Sequence, residues 1–482
     1  MQQPLAYMPK WVSNRAIMIY FAALAVVTLW FMSYAMEWYF YVFGVVEVVG
    51  FFYVSNRLTR SWARLTTKTF EKRLFWTAFG IRAVWVLFSY WFYFVMTGEH
   101  FEFSAGDVLF YDDMGRVLSE NFREGNFAVY DICNKYTSGK IAFSDMGYPA
   151  YLGFVYWLTG DSLLVVRFIK AFLSAVTALI MSRLATRNFG EGVGRMTGIF
   201  CMLMPNLILY CGLHLKETEM CFLAVVAIEQ ADQVMRLKKF NVWKMVPMAI
   251  CMLTLFTFRT VLGAVTILAL LTALTITTDR VVDWGKRIIM ILIAGLLLLS
   301  MVGGRLESEV RELTTHNVVE EQQKAMQWRS TRSSSAGANR FAKYAGAIVF
   351  APMIFTLPFP SATNLPNQEN QRLIHGGNFV KNIMSGFVIY SLFTLIFSGE
   401  WRKYVLTGAY YGGYLVVLAF SNFAQAERFH MPIVCFMLMF SAYGMYEVIK
   451  HPREKRLYNY WTLLMFLAFV GWNWFKLRGR GL

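Results

Sequence analysis

The sequence predicts an all-α polytopic integral membrane protein, and three observations predict it. Of the 482 residues, 57% are hydrophobic, 17% aromatic and only 16% charged, against about 45–50% apolar and about 25% charged in a soluble chain. The apolar excess is gathered in nearly charge-free runs, including Ala16–Met36, Phe75–Met96, Val261–Thr278, Ile288–Gly303 and Val405–Phe420. These approach or exceed the roughly 17 residues that carry a helix across a bilayer core. Third, Lys and Arg crowd the short links between runs. The runs do not alternate polar with apolar, and lipid tolerates only helices or closed barrels, so strands are excluded for most of the chain.

The net charge of +16 does not indicate nucleic acid, because it sits in those links. Arg57, Arg60, Arg64, Lys68, Lys72 and Arg73 fill one; Arg183, Arg187 and Arg195 mark another; Arg236, Lys238, Lys239 and Lys244 a third; Arg280, Lys286 and Arg287 a fourth; Arg453, Lys455 and Arg456 a fifth. Under the positive-inside rule these links are cytoplasmic. Cys133, Cys201, Cys211, Cys221, Cys251 and Cys435 form no close pair, which suggests neither a disulfide framework nor a zinc site. Lys10 and Arg15 precede a first apolar stretch too long for a signal peptide and without a clean cleavage site, so an uncleaved first span is expected.

Residues 1–97 hold the N-terminal spans, at about Ala16–Met36, Tyr39–Val54 and Phe75–Thr97, with Ser55–Arg73 as a cytoplasmic link. Residues 98–147 form a first external loop of acidic character, carrying nine Asp and Glu, among them Asp107, Asp112, Asp113 and Asp145, against Arg116, Arg123, Lys135 and Lys140. Residues 148–303 are the transmembrane core: re-entry near Tyr148–Leu158, then spans at about Ser162–Leu184, Met196–Leu213, Met220–Met235, Met245–Phe258, Val261–Thr278 and Ile288–Gly303. Residues 304–378 are a second external segment, with a Ser-rich patch at Ser330–Ser335 and an apolar stretch, Tyr344–Phe359, read as non-spanning. Residues 379–482 hold C-terminal spans at about Val380–Phe397, Val405–Phe420, Met431–Ile449 and Tyr458–Trp474. The count is roughly thirteen, within a range of 11–14. An odd count puts Lys476, Arg478 and Arg480 outside, against the rule; either the last helix is interfacial or the count is off by one. No internal repeat is evident.

Polar residues in or beside spans are costly and usually functional. On this topology several collect at the external face: Asp107, Asp112 and Asp113 after the third span, Arg167 in the outer part of its span, His214, Lys216, Glu217 and Glu219 in one tight turn, Arg259 between two apolar runs, and Glu427, Arg428 and His430 late in the chain. An acid cluster facing several cations there suits an anionic, membrane-borne substrate. Blander roles stand beside these: Asp107 can cap a helix, Asp112 and Asp113 can be structural, and Lys216 and Arg259 can snorkel to headgroups. His100, His316, His375 and His451 are isolated.

Four stretches resemble a known family. Gly106–Phe127 (GDVLFYDDMGRVLSENFREGNF) pairs an Asp with Tyr111 four residues on. Gly147–Gly190 begins with Tyr148-Pro and continues through a short apolar helix, Arg167 and a long span. Met204–Met220 holds a Pro and a Lys-Glu turn, and Glu427–Phe436 an Arg-x-x-x-Pro element. In this order they resemble family-39-like glycosyltransferases of the GT-C superfamily, which include protein O-mannosyltransferases, aminoarabinose transferases and bacterial polyprenyl-phosphate-sugar enzymes. The resemblance covers about Phe75–Phe240, with thinner support beyond.

The resemblance implies a GT-C-like bundle with external juxtamembrane helices, in the inner membrane of a bacterium. It further implies inverting transfer of a sugar from a polyprenyl-phosphate donor to a hydroxyl of a glycan, lipid or protein acceptor, on the face turned to the periplasm. Asp107 would be the general base, with Asp112 and Asp113 as alternative carboxylates. Lys216, Arg259, Arg428 and Arg167 would hold the donor phosphate, with Tyr111, Tyr148, Glu217 and His430 as further site candidates. No cofactor is expected; a divalent metal is compatible with the chemistry but nothing indicates one. The sequence departs from the pattern in having two spans, not one, before the span that leads into the catalytic loop. Competing readings are an O-antigen-type polymerase or ligase, and a non-enzymatic transporter or flippase of lipid-linked glycans.

Overall fold

A computed structural model describes residues 7–276 and 353–478, except 104–105, 139–140, 142, 238–242, 244, 367, 422–423 and 425, and also the isolated residue 295. Ile288–Gly303, apart from Gly295, and the Ser330–Ser335 patch fall outside the described residues. Within them the chain is helical and contains no strand. The elements are α1 (Lys10–Trp30), α2 (Trp38–Ser61), α3 (Thr67–Thr97), α4 (Gly106–Arg123), α5 (Val129–Tyr136), α6 (Gly147–Thr159), α7 (Leu163–Phe189), α8 (Glu191–Leu203), α9 (Pro205–Leu209), α10 (Glu217–Met235), α11 (Val246–Phe258) and α12 (Thr260–Ile276). After these come α13 (Glu369–Leu373), α14 (His375–Phe397), α15 (Val405–Phe420), α16 (Glu427–Lys450) and α17 (Lys455–Arg478).

Among the described residues six helices, α1, α2, α3, α7, α14 and α16, are long and apolar enough to cross a membrane, and α8 with Pro205–Gly212 makes a seventh if the bent pair is one span. The protein is therefore a multi-pass membrane protein. The 52° bend of that pair follows from Pro205: the residue before a proline is pushed out of the helical region, and Met204 is extended at φ −61°, ψ 116°. Local chemistry sets other ends too. Thr66 and Ser162 accept from the backbone N–H of Thr69 and Val165 at the starts of α3 and α7, and Gly98 and Gly160, at φ 81° and 71°, end α3 and α6 in the left-handed conformation.

Many charged side chains sort to the two ends of the bundle, whereas Arg82, midway along α3, is buried on Ser174 and the carbonyls of Ala78, Cys201 and Met202. At one end Arg195 donates to the carbonyls of Trp62, Ala63 and Leu65, Arg183 pairs with Glu71 at 2.7 Å, and Arg187 with Glu229 at 2.8 Å. The link read as Ser55–Arg73 is mostly helix, since α2 runs to Ser61 and α3 starts at Thr67. Its cations ride on helix ends, where long stems reach out of the apolar layer. At the opposite end lie the amphipathic α4, the turn before α10 and the start of α16.

The stretch expected to re-enter, Tyr148–Leu158, is α6, and it packs against α4. Gly115 and Gly153 make the seam: a Cβ at Gly115 would lie 2.8 Å from Leu152, and one at Gly153 2.6 Å from Leu118. Residues 353–366 of the second external segment are mostly irregular and buried, and its end is α13 and the start of α14; residues 344–352 of the apolar stretch Tyr344–Phe359 lie outside the described residues. Lys381 and Asn382 of α14 bond its carbonyls at Leu357, Thr356 and Pro358. Irregular backbone at such depth is tolerated only where protein satisfies it. Lys476 near the end of α17 bonds Ser361, Gln368 and Gln371 at 2.6–3.0 Å. The C-terminal helix therefore ends on the α4 side, and buried oxygens there satisfy the first cation of the basic tail. Arg480 lies outside the described residues.

Candidate functional site

Five elements far apart in sequence deliver their polar ends to one place. Asp107 stands in the first turn of α4, where a carboxylate also suits the helix N-terminus. Its Oδ2 accepts from Arg428 Nη1 at 2.6 Å, across 321 positions, with the two side chains 56% and 34% exposed. Arg428 is in the first turn of α16 and reaches α4 because Phe429 beside it is buried as an anchor. Both Arg428 and Arg259 lie over the Phe429 ring, at 4.8 and 4.2 Å from its centroid. Arg259 is the extended residue between α11 and α12, φ −165°, so two apolar helices hold it at their apex. Tyr414 of α15 lies within electrostatic range of it.

Lys216 closes the other side. It precedes α10, pairs with Asp145 at 2.8 Å and lies 5.5 Å above the ring of Tyr111, which is one turn beyond Asp107 and packs edge-on against Tyr148 at 5.3 Å. Burial pulls the Lys216 ammonium below the ordinary lysine range, with Asp145 opposing that shift. Burial and the carboxylates of Asp145, Glu217 and Asp107 push the Tyr111 phenol up. Glu217 is buried, within electrostatic range of Lys216 and Arg428, and its Oε2 has no hydrogen-bond partner.

The cluster thus contains Asp107, Tyr111, Lys216, Glu217, Arg259 and Arg428, with Tyr148 beneath it. Other candidates go elsewhere. Asp112 turns into the α4–α6 seam, where it binds Arg116 at 2.8 Å and accepts from the Tyr156 hydroxyl; its oxygens are committed to packing. Asp113 is exposed on α4. Arg167 does not join the cations. It is fully buried, donates to the His100 carbonyl, lies over the Tyr90 ring at 5.8 Å and faces Glu102. His430 points inward and bonds the Ala424 carbonyl at 2.9 Å.

Three supporting residues were not among the site candidates of the sequence. Lys170 is buried in α7 and donates to the carbonyls of Leu213 (2.9 Å) and Leu215, with Glu219 at 3.7 Å. Glu102 accepts from the His214 backbone N–H at 3.2 Å, and its own carboxyl is pushed up by burial. Together they fix the turn that presents Lys216 and Glu217. Asp145 is the third, as the partner of Lys216. A signal for Lys170 existed: a second cation three residues after Arg167 in an apolar run shares its helix face.

Below Asp145 and Phe258 an almost wholly apolar cavity of about 490 Å³ opens between α5, α6, α7, α10 and α11. Tyr130, Phe143, Tyr151, Leu173 and Phe222 line it, with Glu219 at its wall. Among the described residues no three His, Cys, Asp or Glu side chains converge in a metal-holding arrangement. Set against known protein families, curated proteins and solved structures, the chain matches none.

Proposed function

We propose that the chain is an inverting glycosyltransferase that moves a sugar from a polyprenyl phosphate to an acceptor hydroxyl on the extracytoplasmic side of a bacterial inner membrane. One observation carries the reading: a carboxylate, Asp107, pairs with Arg428 in a cluster that also holds Lys216 and Arg259, and an apolar cavity that suits a prenyl chain opens next to it at Phe258 and Met146. The side follows from the positive-inside rule, because the cluster lies at the end away from the basic links.

The acceptor oxygen attacks the anomeric carbon, the bond from that carbon to the phosphate oxygen breaks, and the acceptor proton passes to Asp107. A hydroxyl is a weak nucleophile, so a carboxylate within hydrogen-bond reach helps as the bond forms. The departing phosphate gains negative charge, and fixed cations in a partly dry site stabilise it. Without donor, Arg428 holds Asp107. The donor phosphate competes for Arg428 and frees the carboxylate, so donor should bind before acceptor.

The test offers purified protein a panel of polyprenyl-phosphate sugars and follows release of polyprenyl phosphate. One donor is expected to be turned over in the presence of its acceptor, and Lys216→Ala and Arg259→Ala each to weaken donor binding or slow release. Normal affinity and rate in both variants remove these residues from the site; a panel with no release overturns the reading.

A pH dependence follows from Lys216. Its lowered pKa means that the charge is lost as pH rises through a value below the ordinary lysine range, while arginine stays protonated. Donor affinity should therefore fall on the alkaline side, and Lys216→Arg should carry it to higher pH. An alkaline limb that the substitution leaves in place counts against Lys216 as an anion ligand.

A further inference from the structure

Six cations and one acid lie between Arg57 and Arg73, where α2 turns into α3. Arg57, Arg60, Arg64, Lys68, Lys72 and Arg73 are all exposed. The acid, Glu71, does not answer them, because Arg183 of α7 takes both of its oxygens, at 2.8 and 2.7 Å. Elsewhere at this end the chain meets its cations with its own carboxylates: Arg187 with Glu229, Arg195 with Glu191, Arg236 with Asp232 and Lys450 with Glu447. Among the described residues none of the six in the α2–α3 turn forms such a pair, and Arg60 lies over the Tyr7 ring at 4.9 Å instead.

Two aromatic side chains set the depth of this group. Tyr53 is one turn before Arg57 on α2, Trp76 one turn after Lys72 on α3, and each is more than half exposed. Tyr and Trp presented in this way by a membrane helix settle at headgroup level. Farther from the turn the same sides of the two helices present Val46 and Val84, 63% and 68% exposed, to hydrocarbon. The six cations therefore stand just outside the apolar layer, at the level of the phosphates. Repulsion among them is left for something outside the chain to relieve, and such a concentration of one sign draws counter-charge to the surface.

We propose that the α2–α3 end is a docking surface for anionic phospholipid, with phosphates of phosphatidylglycerol against Arg57, Arg60, Lys72 and Arg73 and acyl chains beside Tyr53 and Trp76. A polybasic segment next to a membrane helix gains about five-fold in affinity for an anionic leaflet with each cation at the surface. Phosphatidylcholine offers the same phosphate, but its own ammonium cancels the charge that the cluster would meet. The surface lies at the end of the bundle away from Asp107, and the inference does not depend on the reaction proposed above.

The test uses the full-length protein in vesicles of phosphatidylglycerol and phosphatidylcholine at equal mole fraction. Bromine, a contact quencher of tryptophan, is carried on the acyl chains of one lipid or the other. The difference in emission between the natural protein and Trp76→Phe isolates the quenching of Trp76. At low salt phosphatidylglycerol should be favoured at Trp76 by about five-fold or more, the scale of one cation at the surface. Lys72→Gln/Arg73→Gln should bring the ratio close to one, and so should about 1 M salt, where the screening length falls to about 3 Å. A ratio of one in the natural protein overturns the proposal, needs no variant to fold, and would leave the cations to a soluble anionic partner. A preference that either the salt or the double substitution leaves unchanged also overturns it, because its source is then not this cluster.

Discussion

Asp107→Asn is expected to lower turnover by about 100-fold or more while donor binding persists, the loss that follows removal of a general base. The substitution is nearly isosteric. An Asn oxygen at that position still accepts from Arg428 at the distance the Asp107 carboxylate now holds, 2.6 Å, so the approach of α4 to α16 survives. What disappears is the group proposed to take the acceptor proton. The alternative role of Asp107, a favourable charge in the first turn of α4, is worth only about 0.3–1 kcal/mol and would leave turnover intact. Single-turnover release of polyprenyl phosphate, measured with donor affinity, separates the two. Unchanged release in Asp107→Asn would transfer the base to Glu217, whose unpartnered oxygen belongs to the same cluster.

Lys170→Met should destabilise the fold by about 3–5 kcal/mol, as for removal of one partner from a buried ion pair. Lys170 is fully buried, and Glu219, 3.7 Å away, is nearly so, their side chains 0% and 4% exposed. The substitution leaves Glu219 as an uncompensated buried charge and releases the carbonyls of Leu213 and Leu215. The double variant Lys170→Met/Glu219→Leu removes both charges and should recover much of the loss, because well-packed apolar residues often replace a buried pair at little cost. Thermal unfolding in detergent reads the effect. A single variant as stable as the natural protein would show that Glu219 does not remain an uncompensated buried charge, being solvated through the adjoining cavity or protonated.

Where each site candidate falls was only partly legible. Asp107, Tyr111, Lys216, Glu217, Arg259 and Arg428 stand at run ends, so a count of crossings already places them on one surface, and they come together. Arg167 and His430 also lie near the outer ends of their helices, yet they face inward. Hydropathy reports depth in the bilayer but not rotation about the helix axis, which packing decides. Asp112 shows the same limit: one residue beyond Tyr111, it lies on a different face of α4 and meets Tyr156 of α6. The pairings of Lys216 with Asp145 and of Asp107 with Arg428 join residues 71 and 321 positions apart, and no local pattern encodes such partners.

By itself the sequence determined that this is a multi-pass helical membrane protein and that its cations divide between basic links and an opposite, acid-rich end. Those are properties of composition and order, set by the cost of placing charge or unpaired backbone in hydrocarbon. Only the tertiary structure decided which polar side chains share a site. It aligned α4 with α16, set Arg259 over Phe429, and turned Arg167 and Asp112 away. Those choices depend on side-chain shape and helix rotation at contacts distant in sequence, such as the glycine seam of Gly115 and Gly153, where backbone proximity leaves room for one arrangement.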